Sequence, residues 1–253
     1  MNAEVTLQLA HPPIVEAVVD IDCDLPVGVD FASLEAPARE RFATEYPRFR
    51  RQMLQEHQIK KAAESPLEHN VRTEVQAFQF FKDDERQIVQ VRSEGFSFNR
   101  MAPYSSLDEY VPEIERCWHL FVQMVEPSQI RRITLRYINR ILLPTVDTLV
   151  DLDEYLALSP QLADENTLKF VGFVDQHSVV EKDTNHLANV ILVMQDLDGE
   201  KLPLIFDIEA MHIGFVDPRD WATIQTTITS LRRLKNLIFR KTLTEKCLNL
   251  FQQ

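Results

Sequence analysis

Glycine is scarce in this chain, with five in 253 residues. A dinucleotide fingerprint or a P-loop needs several glycines close together so that backbone N–H groups can approach phosphate, and neither can be assembled here. Cysteine is scarcer still. Cys23, Cys117 and Cys247 stand far apart with no Cys-x-x-Cys pair, and an odd number at this spacing describes no disulfide framework. No serine sits in a Gly-x-Ser-x-Gly elbow, which removes the commonest hydrolase nucleophile. No apolar run approaches the length of a membrane span. Met1 to Pro13 carries Glu4, no basic residue and no apolar stretch long enough for a signal peptide. Basic residues are the minority, 27 against 39 acidic, for a net charge of -12 that repels nucleic acid and anionic lipid by sign. These absences predict a cytoplasmic protein with no cofactor, no membrane association and no generic nucleic-acid binding.

What is present is enough apolar residue, 45%, to bury a sizeable core. The chain also reads twice through one order of elements. An apolar strand ending in Leu-Pro runs from Ile14 to Pro26 and again from Ile133 to Pro144. Each is followed by a short acidic helix, a group of strands and a long amphipathic helix. The acidic turns Asp83-Asp84-Glu85 and Asp198-Gly199-Glu200 lie at nearly the same offset as the two strands. The expected fold is therefore α+β: a tandem duplication of a strand, helix, three strands and long helix unit, with antiparallel sheet, divided into halves 1–127 and 128–253 that share one core.

Local signals place the elements. Phe31 to Tyr46 carries Phe31, Leu34, Ala38 and Phe42 on one helical face and stops at Pro47. Val75 to Phe81 and Gln87 to Phe98 flank an acidic turn as a hairpin, with a bulge expected near Gly95. Ser106-Leu107-Asp108-Glu109 has the form of a capping box, and Tyr110, Ile114, Cys117, Phe121 and Val125 form the stripe behind it. In the second half a short helix is expected over 152–158, with strands near 168–180, 187–196 and 202–213. Asp217-Pro218-Arg219-Asp220 reads as a helix start, and Trp221, Ile224, Ile228, Leu231, Leu234 and Ile238 predict a helix to about Leu250.

Two constellations could carry function. In the strand Arg136-Tyr137-Ile138-Asn139-Arg140, alternation puts Tyr137 and Asn139 on one face and Arg136 and Arg140 on the other. At a junction between halves the arginines could line a cleft and hold an acidic group; the plainer reading is that they neutralise nearby carboxylates. Asn139 is expected to be buried and bonded to backbone. The second constellation is Asp175 with His177, and Asp207 with Glu209 and His212. Spacing by two puts each short pair on one sheet face, as a metal or acid/base pair requires, and the competing reading is scattered surface or core groups. No metal site is assigned from them. The basic half of the last helix, Arg232, Arg233, Lys235, Arg240 and Lys241, reads as a solvated face, or else as a docking surface for an acidic partner.

Pro12-Pro13-Ile14-Val15-Glu16-Ala17-Val18, and Leu135-Arg136-Tyr137-Ile138-Asn139-Arg140 with Leu143-Pro144, resemble the two signatures of a sporadically distributed family of uncharacterised bacterial proteins. The resemblance covers nearly the whole chain. It implies no catalytic residue, and the patchy distribution of that family implies mobile genes, including defence or toxin–antitoxin modules. The functional expectation is a non-enzymatic intracellular binding protein of antitoxin, immunity or chaperone-like kind, acting on a protein partner through a cleft or strand edge, with a homo-oligomer among the expected assemblies. The alternative is a metal-assisted hydrolase or small-ligand enzyme using Asp175, His177, Asp207, Glu209 and His212.

Overall fold

The computed structural model describes residues 9–60, 68–145, 150–158, 160–161, 163, 167–168 and 170–252. Its organising element is one nine-stranded antiparallel sheet. In chain order the strands are β1 (Ile14–Asp24), β2 (Arg48–Lys60), β3 (Glu68–Phe81), β4 (Gln87–Arg92), β5 (Gly95–Met101), β6 (Gln129–Pro144), β7 (Val174–Val180), β8 (Leu187–Met194) and β9 (Lys201–Val216). They lie side by side as β2-β3-β4-β5-β1-β6-β9-β8-β7. Four helices join them: α1 (Glu35–Phe42), α2 (Leu107–Val125), α3 (Trp221–Thr242) and α4 (Glu245–Asn249). The mixed α+β class and the antiparallel sheet agree with the sequence.

All four helices cover the same face of the sheet. Cross-strand register runs Phe80–Val89–Phe98–Val19–Leu135–Ala210, so these side chains share a face. Phe42 of α1 packs on Phe80, Trp118 of α2 on Phe96, and Phe239 of α3 on Phe206. The core forms two clusters. The larger draws on both halves of the chain, from Val19 and Phe98 through Trp118 to Ile133, Ala210 and Leu231. The smaller gathers Ile141, Leu143, Val190, Phe206, Phe239 and Phe251.

The opposite face carries no helix among the described residues, and its surface is a polar ladder. Gln79 donates to Gln90, Gln90 to Asn99 and Asn99 to Glu16, at 3.0, 2.8 and 2.7 Å. Farther along, Asn189 donates to Glu209 at 3.0 Å, and Ser178 to Asn189 at 2.8 Å. These bonds satisfy polar groups that lie half-buried among their neighbours, where an unpaired group would cost about 1–3 kcal/mol. Alternation of apolar-in and polar-out residues is what a sheet covered on one side requires.

Several expectations are corrected. Gln87 to Phe98 is two strands joined by a turn at Ser93-Glu94, because Gly95 takes φ +145° and lets the chain reverse. The first half therefore has four strands between its helices and not three. Counted outward from the central β1–β6 pair, β5 and β9 correspond. The counterpart of the Asp198-Gly199-Glu200 turn is thus Ser93-Glu94, and Asp83-Asp84-Glu85 joins the more distant β3 and β4. The helix expected over 31–46 is a 3-10 turn leading into the shorter α1, and that over 152–158 is only a 3-10 turn at Leu152–Glu154. The strand expected from Leu168 begins at Val174.

Asp220, not Asp217, caps α3, accepting from Thr223 N at 3.1 Å, while Asp217 closes the preceding turn through Arg219 N. Pro218 lies in that turn. Ser106 caps α2 as expected, but Glu109 reaches the Ser105 hydroxyl in place of the reciprocal backbone bond. The long C-terminal helix breaks after Thr242. Leu243 turns extended and buried to bridge Leu156, and Thr244 caps the separate α4. Amphipathic spacing cannot foresee this, because burial of Leu243 against Leu156 decides it.

Candidate functional site

Helices α2 and α3 run antiparallel over the central strands. Trp118 Nε1 donates to Pro218 O at 2.9 Å, which ties the later part of α2 to the turn before α3. At the other end Asp108, in the first turn of α2, pairs with Arg232 at 2.7 Å. There α2 begins, while α3 continues past it for more than two turns. The gap left over β6 is a cleft of about 1600 Å³, floored by Tyr137 and Asn139 and bounded by Tyr104, the start of α2, the N-terminal Leu9 to Ile14 and the basic half of α3.

Asn139 is 2% exposed and its Nδ2 donates to the Phe206 carbonyl at 2.8 Å. The bond fulfils the expectation of a buried backbone tie, although it joins β6 to β9 and not to β1. Asn139→Ala removes this donor and is expected to cost about 1–2 kcal/mol, read as a lower melting temperature. An alanine variant that melts with the parent would contradict the role. Tyr137 is buried beside it, and its hydroxyl meets that of Tyr104 at 2.7 Å. Burial pushes the Tyr137 phenol up to about 12 and raises that of Tyr104 as well, so both rings stay neutral.

Lys235 lies at the seam between the two core clusters. It is 7% exposed, its Nζ sits 4.0 Å from the Tyr137 ring centroid, and it makes no hydrogen bond or ion pair among the described residues. Burial, then the neighbouring Arg232 charge, lowers its ammonium to about 7. The sequence reading placed Lys235 on a solvated face. One signal pointed the other way: at four residues beyond Leu231 and four before Phe239, it occupies the apolar stripe of α3. Tyr104 was missed too, since nothing in a loop sequence foretells a ring stacked on the central strand. Around the amine, Arg232 is committed to Asp108 and Arg233 to Glu181, whereas Arg240 and Lys241 form no ion pair among the described residues.

The remaining sequence candidates lie elsewhere. Arg136 and Arg140 are on the face opposite the cleft and line none of it. Arg136 holds Asp207 in a bidentate pair, Nε to Oδ1 at 3.0 Å and the second guanidinium nitrogen to Oδ2 at 2.5 Å, and Arg140 pairs with Asp198 at 2.8 Å. Asp207 is 7% exposed, so Arg136→Ala would strand a buried carboxylate. A loss of about 2–3 kcal/mol in a denaturant melt is expected, larger than for Arg140→Ala on its exposed pair. Equal effects would remove the distinction.

Asp175 and His177 approach to 3.6 Å on the edge strand β7. Asp207 and Glu209 occupy the open sheet face, bonded to Arg136 and Asn189. His212 lies on the helix face, its ring 5.4 Å from that of His186. The five hydrolase candidates are thus divided between two faces, and among the described residues no three His, Cys, Asp or Glu side chains are grouped to hold a metal. The three cysteines are buried and unpaired, and burial pushes each thiol up to about 12, which suits inert core residues. No described helix is long and apolar enough to cross a membrane. Compared with known proteins, the chain matches no family model, no curated protein and no solved structure.

Proposed function

We propose that this chain is a non-enzymatic binding protein whose cleft between α2 and α3 receives a protein partner. The observation that carries the reading is the cleft itself: an opening of about 1600 Å³, larger than the few hundred to ~1000 Å³ usual for small-molecule sites, beside a buried amine with no partner of its own. Catalysis finds less support, since the carboxylates and histidines that could perform it lie on two faces. Membership of the sporadically distributed bacterial family, an antitoxin, immunity or chaperone-like role and a cytoplasmic site belong to the same proposal. Three buried, unpaired thiols favour a reducing compartment.

A duplicated origin belongs with it. In its favour, β1 and β6 pair antiparallel at the centre, β5 and β9 flank them, and each half ends in a long helix on the same face. On this reading the halves are 1–127 and 128–253, and β2 is an addition to the first.

The test is affinity purification from the native host with parent and Leu237→Arg proteins. Leu237 lines the cleft and is 46% exposed, so arginine there adds bulk without disturbing the core. The parent should retain a stoichiometric protein partner that the variant loses while melting at the same temperature. A partner kept by Leu237→Arg, or none at all, overturns the reading.

A further inference from the structure

Buried lysines usually find a carboxylate, because an ammonium withdrawn from water without one is costly. Lys235 has none. The groups facing it are the Tyr137 ring from β6, Tyr104 before α2, Asp108 at the start of α2, Arg232 and Arg240 on α3, and Glu245 at the start of α4. Of the two carboxylates, Asp108 is taken by Arg232 and Glu245 makes no ion pair with Lys235. The electron-rich face of Tyr137 supports one side of the ammonium, and its remaining donors border the open cleft. Such an arrangement lacks one part, an anion.

Resting on the cleft-binding reading above, we propose that Lys235 is the anchor for a carboxylate of an acidic peptide segment, and that Arg240 and Lys241 receive a second acidic side chain of the same segment. Three observations favour a peptide over other anions. The cleft is too large for a lone metabolite. Lys235 and Arg240 are five residues apart on α3, about 7.5 Å along the axis, close to the ~6.8 Å between alternate side chains of an extended chain. Leu9, Pro12, Pro13 and Leu237 give the walls apolar surface that suits a peptide and not a sugar-phosphate backbone. A long polyanion would in addition meet the chain's net charge of -12 beyond the cleft.

The amine also makes the affinity depend on pH. With its ammonium lowered to about 7, Lys235 is mostly neutral at pH 8.5 in the free protein, so the peptide must bring a proton with it there. Affinity should fall as pH rises from 6 to 8.5.

The experiment uses the full chain and a fluorescein-labelled peptide in which glutamate alternates with leucine and serine, read by anisotropy. Its comparison is the same peptide with glutamine for every glutamate. The parent should bind the glutamate peptide about tenfold more tightly at pH 6.5, as the loss of one charge-assisted contact implies. Lys235→Met should lose that preference and the pH dependence together. Lys235→Arg, charged at every pH used, should keep the preference without the pH dependence. Melting curves establish that each variant is folded. If both peptides bind equally and Leu237→Arg abolishes both, the cleft is a peptide site and Lys235 is not its anchor. If the glutamate peptide binds parent and Lys235→Met alike, or does not bind, the proposal is overturned. Displacement of the peptide by ATP or a single-stranded oligonucleotide at lower concentration than by unlabelled peptide would assign the site to phosphate and overturn it as well.

Discussion

Lys235→Met is expected to melt about 5 °C above the parent protein at pH 7, and the gap is expected to narrow by pH 8.5. Burial holds the ammonium at about 7, against 10.5 in the unfolded chain. Between those values the unfolded chain keeps a proton that the folded chain releases, so the parent gains stability as pH rises through this window. Each unit of pH is worth at most about 1.4 kcal/mol, or about 2 kcal/mol from pH 7 to 8.5. In a chain of this size that is about 5 °C, part of it offset by the lost contact with Tyr137. Methionine fills similar volume and carries no proton, so its melting temperature should not climb with this slope. The window closes above pH 8.5 for a separate reason. Burial raises the three thiols from 9 to about 12, so the unfolded chain ionises them first and stability falls again. A parent whose melting temperature is flat from pH 7 to 8.5, or a methionine variant that melts lower at pH 7, would refute the account. A group that weakens the fold at neutral pH is more readily understood as serving a ligand than as serving stability.

Gly95→Ala should come close to abolishing the fold. A Cβ built there would lie 2.1 Å from the Ile21 carbonyl oxygen and 3.0 Å from the Asp22 Cα, and φ is +145°. Those atoms are backbone of β1, held between β5 and β6, so nothing can swing aside. The β4–β5 hairpin must therefore come apart from the central strand, at about 3 kcal/mol or more, with a melting temperature lowered by about 10 °C or with no cooperative transition. Gly172→Ala is the comparison, because a Cβ added there would meet no atom within 4 Å, and it should melt with the parent. Equal melting of the two variants would show that β1 yields more easily than its pairing on both sides implies.

The legible parts of the fold were those that a local period announces. The stripes Ile114, Cys117, Phe121, Val125 and Trp221, Ile224, Ile228, Leu231 are buried as their spacing requires, and the alternation along β6 placed Tyr137 and Asn139 on the covered face. What failed was continuity. Gln87 to Phe98 has no strong turn dipeptide, so the reversal at Ser93-Glu94 rests on the one glycine that can lie against β1. The helix beyond Thr242 kept its amphipathic spacing, yet Leu243 is worth more as a buried bridge to Leu156 than as another helical residue.

The candidate site divides in the same way. Sequence determined that an Asn and a Tyr would stand together on the buried side of a central strand, because side chains alternate along every strand. It also determined what the chain cannot assemble from five glycines and three scattered cysteines. Tertiary structure decided which face became the cleft, since that depends on all helices lying on one side and on α2 starting where α3 has two turns still to run. It turned Arg136 toward Asp207, 71 residues away in the chain, and set Lys235 over Tyr137 with no carboxylate in reach. A charge's meaning depends on what is folded against it, and no local pattern in the sequence carries that distance.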